Sequence, residues 1–491
     1  MRPILAGLET EYGLLVEGRG AEDQVEDAMA LVRGYPGECF AFWDYRYESP
    51  RSDLRGFKLE RLAHDPTDAQ FDRGKAHPID RDVRSDRILP NGARFYNDHG
   101  HPEYSTPECL SLEELAAHDA AGELAVLRAA QALELETGRG VRVYKNNTDF
   151  HGASYGTHES YLVPRSLPFQ RLYESVLPML VVRQILTGAG KVGSESGKQC
   201  VYQLSQRADF LVEPLNAETL YRRPIFNTRD EPHADPSRWV RLHVISGDAN
   251  MMASCTKRKV ALVRLAIALA EHDQAPTWRL SDPVRTFQAI SRDESFEFCV
   301  PLEGRSWTNA FEVVESYLSA AERTLELDAE LIQQIDDCRR LMAAMQDDPL
   351  SVSAEVDWAA KRRMLESFMD EEGMNWRDPA LQAYDLEYHN IDPEQGLYHA
   401  LQGMGEAEAP LEVAELESRL REVREPTRAR ARSLSLTRFG SFARNACWHS
   451  VSFELEGQTV ELQLPPDAHY GEQLFEAANV ETFIDMVRGV S

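Results

Sequence analysis

Apolar and polar positions alternate near both ends of the chain and take helical spacing through much of its middle. The opening run RPILAGLETEYGLLVE (2–17) reads as a strand punctuated by glycine. VRVYKNN (141–147) and VRLHVISGD (240–248) read as strands from their β-branched content and two-residue period. Ser111 and Glu114 form a capping box, which predicts a helix running to about Glu136 and stopped by Gly138. Helical spacing recurs over 169–187, from about Lys257 to Glu271, and through most of 308–373. Beyond Pro426 the runs WHSVSFELEG and QTVELQ (448–463) alternate again. No strict strand–helix–strand rhythm joins these elements, so the pattern predicts an α+β fold. It divides into a large domain over 1–424 and a small mixed domain over 425–491.

Between the first strand and the capping box lies a stretch, 45–90, dense in Arg, Asp, Pro and Gly with little periodicity. That reads as a long loop, anchored at one end by the aromatic ECFAFWDY (38–45). The 491 residues carry 53 Lys and Arg against 81 Asp and Glu, a net charge of −28 that repels a phosphate backbone and argues against nucleic-acid binding. Local basic clusters, RGFKLER (55–61) and RARAR (428–432), remain candidates for a nucleotide. No apolar run reaches the ~18–20 residues of a bilayer helix, and the N-terminus has no signal-peptide pattern, so a cytoplasmic protein is expected. Seven scattered cysteines without CxxC spacing read as reduced, mostly buried thiols.

The chemistry concentrates in few segments. Glu9 and Glu11, two apart on a strand, put both carboxylates on one face, roughly 6–7 Å apart; they suit a hard divalent cation or a plain surface strand. NGARFYNDHGHPEYSTPEC (91–109) brings Tyr96, Asp98, His99, His101, Glu103 and Glu108 together around Gly100 and Pro102, which read as turn residues. Asp98 suits a nucleophile or general base, and Glu103 a metal ligand. His158 follows a glycine-spaced segment and His243 sits on an alternating strand; each fits either a ligand or a packed histidine. NTRDEPHAD (227–235) adds Arg229 among three acids. Together these segments offer ligands for two or more Mg²⁺ ions and an arginine for phosphate. No Walker loop, G-x-S-x-G elbow or H-E-x-x-H helix occurs. GAGKVGSESGK (188–198) has the wrong lysine spacing for a P-loop and reads as a mobile loop on the substrate side.

GLETEYG (7–13), NGARFYNDHGHPEYSTPEC, YKNNTD with GASYGTHESYL (144–162), QLSQRAD (203–209), NTRDEPHAD and RLHVISGDAN occur in an order that resembles the family of the Pup deamidase/depupylase and the Pup ligase. This is a branch of the glutamine-synthetase-like ligases. TRAR (427–430) adds a weaker match. The resemblance implies a large domain whose curved antiparallel sheet cradles Mg²⁺, two or more ions, with ATP or another adenine nucleotide. FWDYRYESPRSDLRGF (42–57) resembles the start of the insertion that depupylases carry, which would span 42–87.

By motif match, Glu9, Glu11, Tyr96, Glu103, His158 and His243 would hold metal. Asp98 would be the catalytic aspartate. Arg229 would bind the phosphates and the transition state, and Arg428 and Arg430 would reach the nucleotide from the small domain. The implied activity is hydrolysis of the isopeptide bond between Pup and a substrate lysine, with Pup and pupylated proteins as partners. The alternatives are a paralogue that removes phosphate from an adenine nucleotide, an ATP-dependent Pup ligase, and a nucleotide sensor without turnover. MMASCTKRKVALV (251–263) departs from the family pattern, and its Lys257, Arg258 and Lys259 are expected to offer acidic Pup a basic groove.

Overall fold

The computed structural model describes residues 2–48, 51–60, 83–197 and 199–490. Six strands form the central sheet: β1 (Ala6–Glu11), β2 (Arg87–Ile88), β3 (Arg94–Asp98), β4 (His101–Ser105), β5 (Thr157–Pro164) and β6 (Trp239–Val244). They lie in the order β6-β5-β1-β4-β3-β2, and every neighbouring pair is antiparallel. The opening run is two strands, not one. It breaks at Tyr12, which is fully buried and gives its N–H to the carbonyl of Pro102, and Gly13–Val16 pairs with Val141–Tyr144 instead.

Two-residue alternation gives the sheet two unlike faces. Leu8, Tyr161, Val163 and Leu242 join the core formed with helices Leu112–Thr137, Phe169–Val182 and Ala253–Glu271, while Phe95 and Tyr104 meet Ala121 and Ala125 of the first of these. Each such apolar side chain contributes about 1.5–3 kcal/mol on burial. A slip of one residue would carry all of them to the other face and the charged residues inward, so the register is tightly specified.

The predicted helix is there, but only half of the capping box forms: Ser111 Oγ accepts from Glu114 N at 3.0 Å, while Ser111 N donates to Glu425 and the Glu114 carboxylate pairs with Arg419; Gly138 ends the helix at φ 68°. Ser111→Ala is expected to cost about 1 kcal/mol, read as a lower urea midpoint. Helix Ala253–Glu271 starts earlier than its spacing suggests and is buried almost all round. This corrects the expected basic groove. Arg258 and Lys259 are core residues that donate to the carbonyls of Leu186 (2.9 Å) and Asp248 (2.7 Å), and Lys257 is paired with Glu113 at 3.0 Å.

A second apolar cluster gathers Leu434, Phe439, Val451, Phe453, Phe483 and Ile484 from the C-terminal segment around the strands Ala443–Ala446, Ser450–Leu455 and Gln458–Gln463. It also takes Trp43 and Ile88, with Phe40, Phe42 and Tyr45 packed beside it, so the aromatic run before the long loop is indeed an anchor. Phe40 and Ile88 exchange both backbone hydrogen bonds, at 2.9 and 2.8 Å, and draw the two ends of the 42–87 segment together. Residues 49–50 and 61–82 of that segment lie outside the described residues. Among the cysteines, Cys109, Cys255, Cys338 and Cys447 are buried, whereas Cys299 is exposed. No helix among the described residues is long and apolar enough to cross a membrane.

Candidate active site

Strands β3 and β4 are joined by the two-residue turn His99-Gly100, with φ of 48° and 91°. Positive φ at both positions is the primed turn that matches strand twist, and it leaves Asp98 at the hairpin tip opposite His101. Pro102 is not part of the turn; it lies in β4 opposite Asn97, whose side-chain oxygen accepts from Gly100 N. From this hairpin the register assembles one charged face. Glu103 lies opposite Glu11 and Tyr96, His158 opposite Glu9, and His243 opposite Ser160 on the next strand. Residues far apart in sequence become neighbours because alternation directs each of them away from the core.

Two groups result. Ligand atoms of Glu9, His158 and His243 lie within 4.8 Å of one another, and so do those of Glu11, Asp98 and Glu103. Glu9 stands 3.4 Å from His158 and 3.5 Å from His243, and accepts from Arg241 at 2.9 Å. Burial alone would raise its pKa, but the two imidazoles and the guanidinium hold it well below the usual carboxylate range. Burial, then the neighbouring carboxylates of Asp98, Glu9 and Glu11, push Glu103 well above that range. Burial and Arg241 hold His243 down to about 3. The Tyr96 hydroxyl donates to Glu103 at 2.7 Å, which places it beside the second group.

The residues fit a divalent cation. Carboxylate oxygens crowded enough to repel one another call for positive charge, and buried imidazoles supply further donors. Among the described residues His243 Nδ1 has no hydrogen-bond partner and Nε2 meets only Glu9 at 3.5 Å, a costly state for a buried polar group unless something else satisfies it. Gly156 keeps this arrangement open, since a Cβ there would come within 2.1 Å of His158 Nε2. Gly156→Ala is therefore expected to displace the imidazole and weaken divalent-cation binding about tenfold, measured by titration calorimetry.

These groups line a cavity of about 730 Å³ together with Arg84, Arg207, Arg229, Arg241 and Trp448. Arg84 pairs directly with Asp98. Burial would raise Asp98, but Arg84 and then His99 outweigh it and keep the carboxyl below its ordinary value. Arg229 donates to Thr219 Oγ1 at 3.2 Å, and its buried Nε has no partner among the described residues. Arg207 donates to the carbonyls of Tyr155 (2.6 Å) and Ile245 (2.9 Å), with burial lowering it to about 9. Arg241 was legible as a residue two before His243 on the same strand face, and Arg207 stood inside QLSQRAD, but neither was singled out. Nothing local in the sequence marks Arg84.

The arginines of the TRAR run part company. They open the helix Arg428–Thr437, where positions four apart share a face. Arg428 and Arg432 both grip Glu108 with contacts of 2.6 Å, and Arg428 also donates to the His233 carbonyl beside the cavity. Arg430 does not reach the cleft, because it falls on another side of the helix and donates to the carbonyls of Val423, Arg424 and Tyr470. The RGFKLER cluster also stays out, as far as it is described: no residue of 55–60 lines the cavity, and Arg55 is held by Asp53 at 2.8 Å. The divergent 251–263 contributes no lining residue either.

A family model described as Pup-ligase protein matches residues 4–452. The chain is 36% identical to the depupylase of Acidothermus cellulolyticus over 98% of its own length and 99% of that protein. It is 35% identical to the Pup deamidase/depupylase of Mycobacterium tuberculosis H37Rv, covering 93% of this chain and 92% of that one. The Pup–protein ligase of Renibacterium salmoninarum is 41% identical over a shorter span, 65% of this chain and 72% of the ligase. Among solved structures, the Pup ligase PafA in complex with Pup superposes with a TM-score of 0.79 at 26% identity, covering 99% of this chain and 92% of PafA. PafA in complex with ADP gives 0.73 at 29% identity, covering 88% and 96%.

Proposed function

The chain belongs to the Pup-ligase protein family, and on that premise we propose that it is a depupylase dependent on Mg²⁺ and an adenine nucleotide. It would hydrolyse the isopeptide bond between Pup and the lysine of a pupylated protein, and deamidate a C-terminal glutamine of Pup at the same centre. What favours hydrolase over ligase is the span of the sequence alignments: those to the two depupylases above cover 93–98% of the chain, whereas that to the Renibacterium ligase covers 65%, although PafA shares the fold over 99%. The observation that carries the chemistry is Asp98, presented by a tight hairpin beside Glu11 and Glu103 and paired with Arg84.

In this reading Glu9, His158 and His243 hold one cation, and Glu11 and Glu103 a second, with the Tyr96 hydroxyl orienting Glu103. Bound ions would neutralise phosphate charge and polarise the scissile carbonyl. Asp98, kept ionised by Arg84 and His99, directs the attack on that carbonyl, either as nucleophile or as base toward water. Overall, water adds across the C–N bond, leaving a carboxylate on Pup and an amine on lysine. Arg229 has a buried N–H in the cavity with no partner among the described residues and stabilises the negative charge that develops. Arg428, tied to Glu108 and to the backbone at His233, faces the nucleotide from the C-terminal segment.

The test is a mass-spectrometric time course with purified protein, Mg-ATP and a Pup–lysine conjugate. Release of free Pup is expected. An intact conjugate would overturn the reading, and if the nucleotide meanwhile lost phosphate, the protein would be a nucleotide phosphatase.

A further inference from the structure

The segment GAGKVGSESGK has no part in the chemistry above, yet it is not a mobile loop over its described residues 188–197. Lys191 is fully buried; its ammonium donates to Asp209 at 2.9 Å and pairs with Glu195. Asp209 in turn accepts from Glu195 N at 2.8 Å, Ser194 Oγ at 2.8 Å and Gln203 Nε2 at 3.0 Å, so the segment is fastened underneath. On its outer side the Glu195 carboxylate meets another part of the chain. One oxygen accepts from Thr148 Oγ1 at 2.7 Å and the other from Gly152 N at 2.9 Å.

Those two donors are the first and the middle residue of the loop 148–156, which forms one wall of the cavity through Gly152, Ala153, Ser154, Tyr155 and Gly156. The loop has no regular structure of its own, and Phe150 and Gly152 take φ of 61° and 100°. On the cavity side its carbonyls hold the arginines: Ser154 O accepts from Arg223 at 2.6 Å and Tyr155 O from Arg207 at 2.6 Å. The Tyr155 ring stacks on His101, with centroids 4.2 Å apart. The loop is thus stretched between Glu195 outside and two arginines inside. None of its residues lines the smaller recess beside Arg428, His233 and Trp448.

We propose that Glu195 is a positioning residue that sets this wall of the cavity for the protein conjugate, an inference that rests on the depupylase reading. Three donors converge on its two oxygens: an ammonium, a hydroxyl and a backbone N–H. A carboxylate satisfies all three, whereas an amide would turn a donor toward a donor. That is a reason for Glu at this position, where Gln has the same shape.

The experiment compares wild type, Glu195→Ala, Glu195→Gln and Thr148→Val. Hydrogen exchange over 148–156 is read alongside steady-state kinetics, conjugate affinity and nucleotide affinity. In Glu195→Ala, exchange at Gly152 should rise at least about tenfold as its hydrogen bond is lost. KM for the conjugate should rise about tenfold, with kcat within about twofold and nucleotide affinity unchanged, the pattern of lost binding without lost chemistry. Glu195→Gln should fall between Ala and wild type. If removing one of the two countercharges of buried Lys191 unfolds Glu195→Ala, Thr148→Val keeps both ion pairs and carries the test, read over 151–156 because it also removes the acceptor of Phe150 N, with a smaller shift in the same direction. Unchanged exchange over 148–156, or raised exchange with unchanged conjugate KM and affinity, would overturn the proposal. A wild type that never turns over the conjugate would sink the depupylase reading alone, since exchange and conjugate affinity still decide Glu195.

Discussion

Asp98→Asn is expected to lower turnover of a Pup conjugate by at least about a thousandfold, because the amide can neither attack nor take a proton. The substitution keeps the size of the side chain and the hairpin that carries it. Its turn depends on His99, Gly100 and the Asn97 side chain, none of which changes. Nucleotide affinity should stay within about threefold, since lost charge at one carboxylate of several perturbs a phosphate only modestly. Free Pup in the mass-spectrometric time course and nucleotide titration by calorimetry separate the two effects. Turnover near the wild-type rate would remove Asp98 from the mechanism. Loss of turnover together with loss of nucleotide binding would make it a binding residue instead.

The second large effect concerns stability. Glu108 lies between Arg428 and Arg432, all three buried, and joins the hairpin region of the sheet to the helix that opens the C-terminal segment. Glu108→Ala would leave two guanidiniums facing each other without a counter-charge, and should cost about 3–5 kcal/mol in urea unfolding. Arg432 lies over the Trp448 ring at 4.9 Å, so tryptophan fluorescence is a suitable probe. The same triad predicts an acid limb. Burial alone would raise Glu108, but Arg432 and Arg428 bring it down to about 2, against about 4.3 in the unfolded chain. A carboxyl with a depressed folded pKa stabilises fully above its unfolded value and loses that contribution as pH falls toward 2. Wild type should therefore lose stability between about pH 4.5 and pH 2, and Glu108→Gln should lose less of it over that window. An identical pH slope in both proteins would show that the triad does not set it.

How far the sequence could be read depended on the range of the signal. Glu9 and Glu11 were legible as one face of a strand because the period of two is local. The N-cap at Ser111 was legible for the same reason, although Glu114 turns its carboxylate to the distant Arg419 and does not close the box. That Glu103, His158 and His243 share the face of Glu9 follows from the pairing of β1 with β4 and β5, and of β5 with β6. No local pattern encodes those pairings, and only the resemblance suggested them. Arg258 and Lys259 misled because a run of cations reads as surface, while their long stems carry the charge to backbone carbonyls inside the core. In the TRAR run the motif drew attention to Arg430, but helix geometry selects Arg428 and Arg432, the pair four apart. Arg84 had no sequence signal because its meaning lies wholly in a contact with Asp98 across the hairpin.

The paired backbone hydrogen bonds of Phe40 and Ile88 make the chain between them a closed cassette. Once its ends are joined, each doubling of its length costs only about 0.6 kcal/mol, so its length can change with little penalty to the fold as long as Phe42, Trp43 and Tyr45 keep their packing. The cassette also carries Arg84, the counterion of Asp98. Replacing the stretch that holds Arg84 would therefore give the same aspartate a new electrostatic neighbour, and one lineage could retune its reaction without altering a residue of β1 or of β3 to β6.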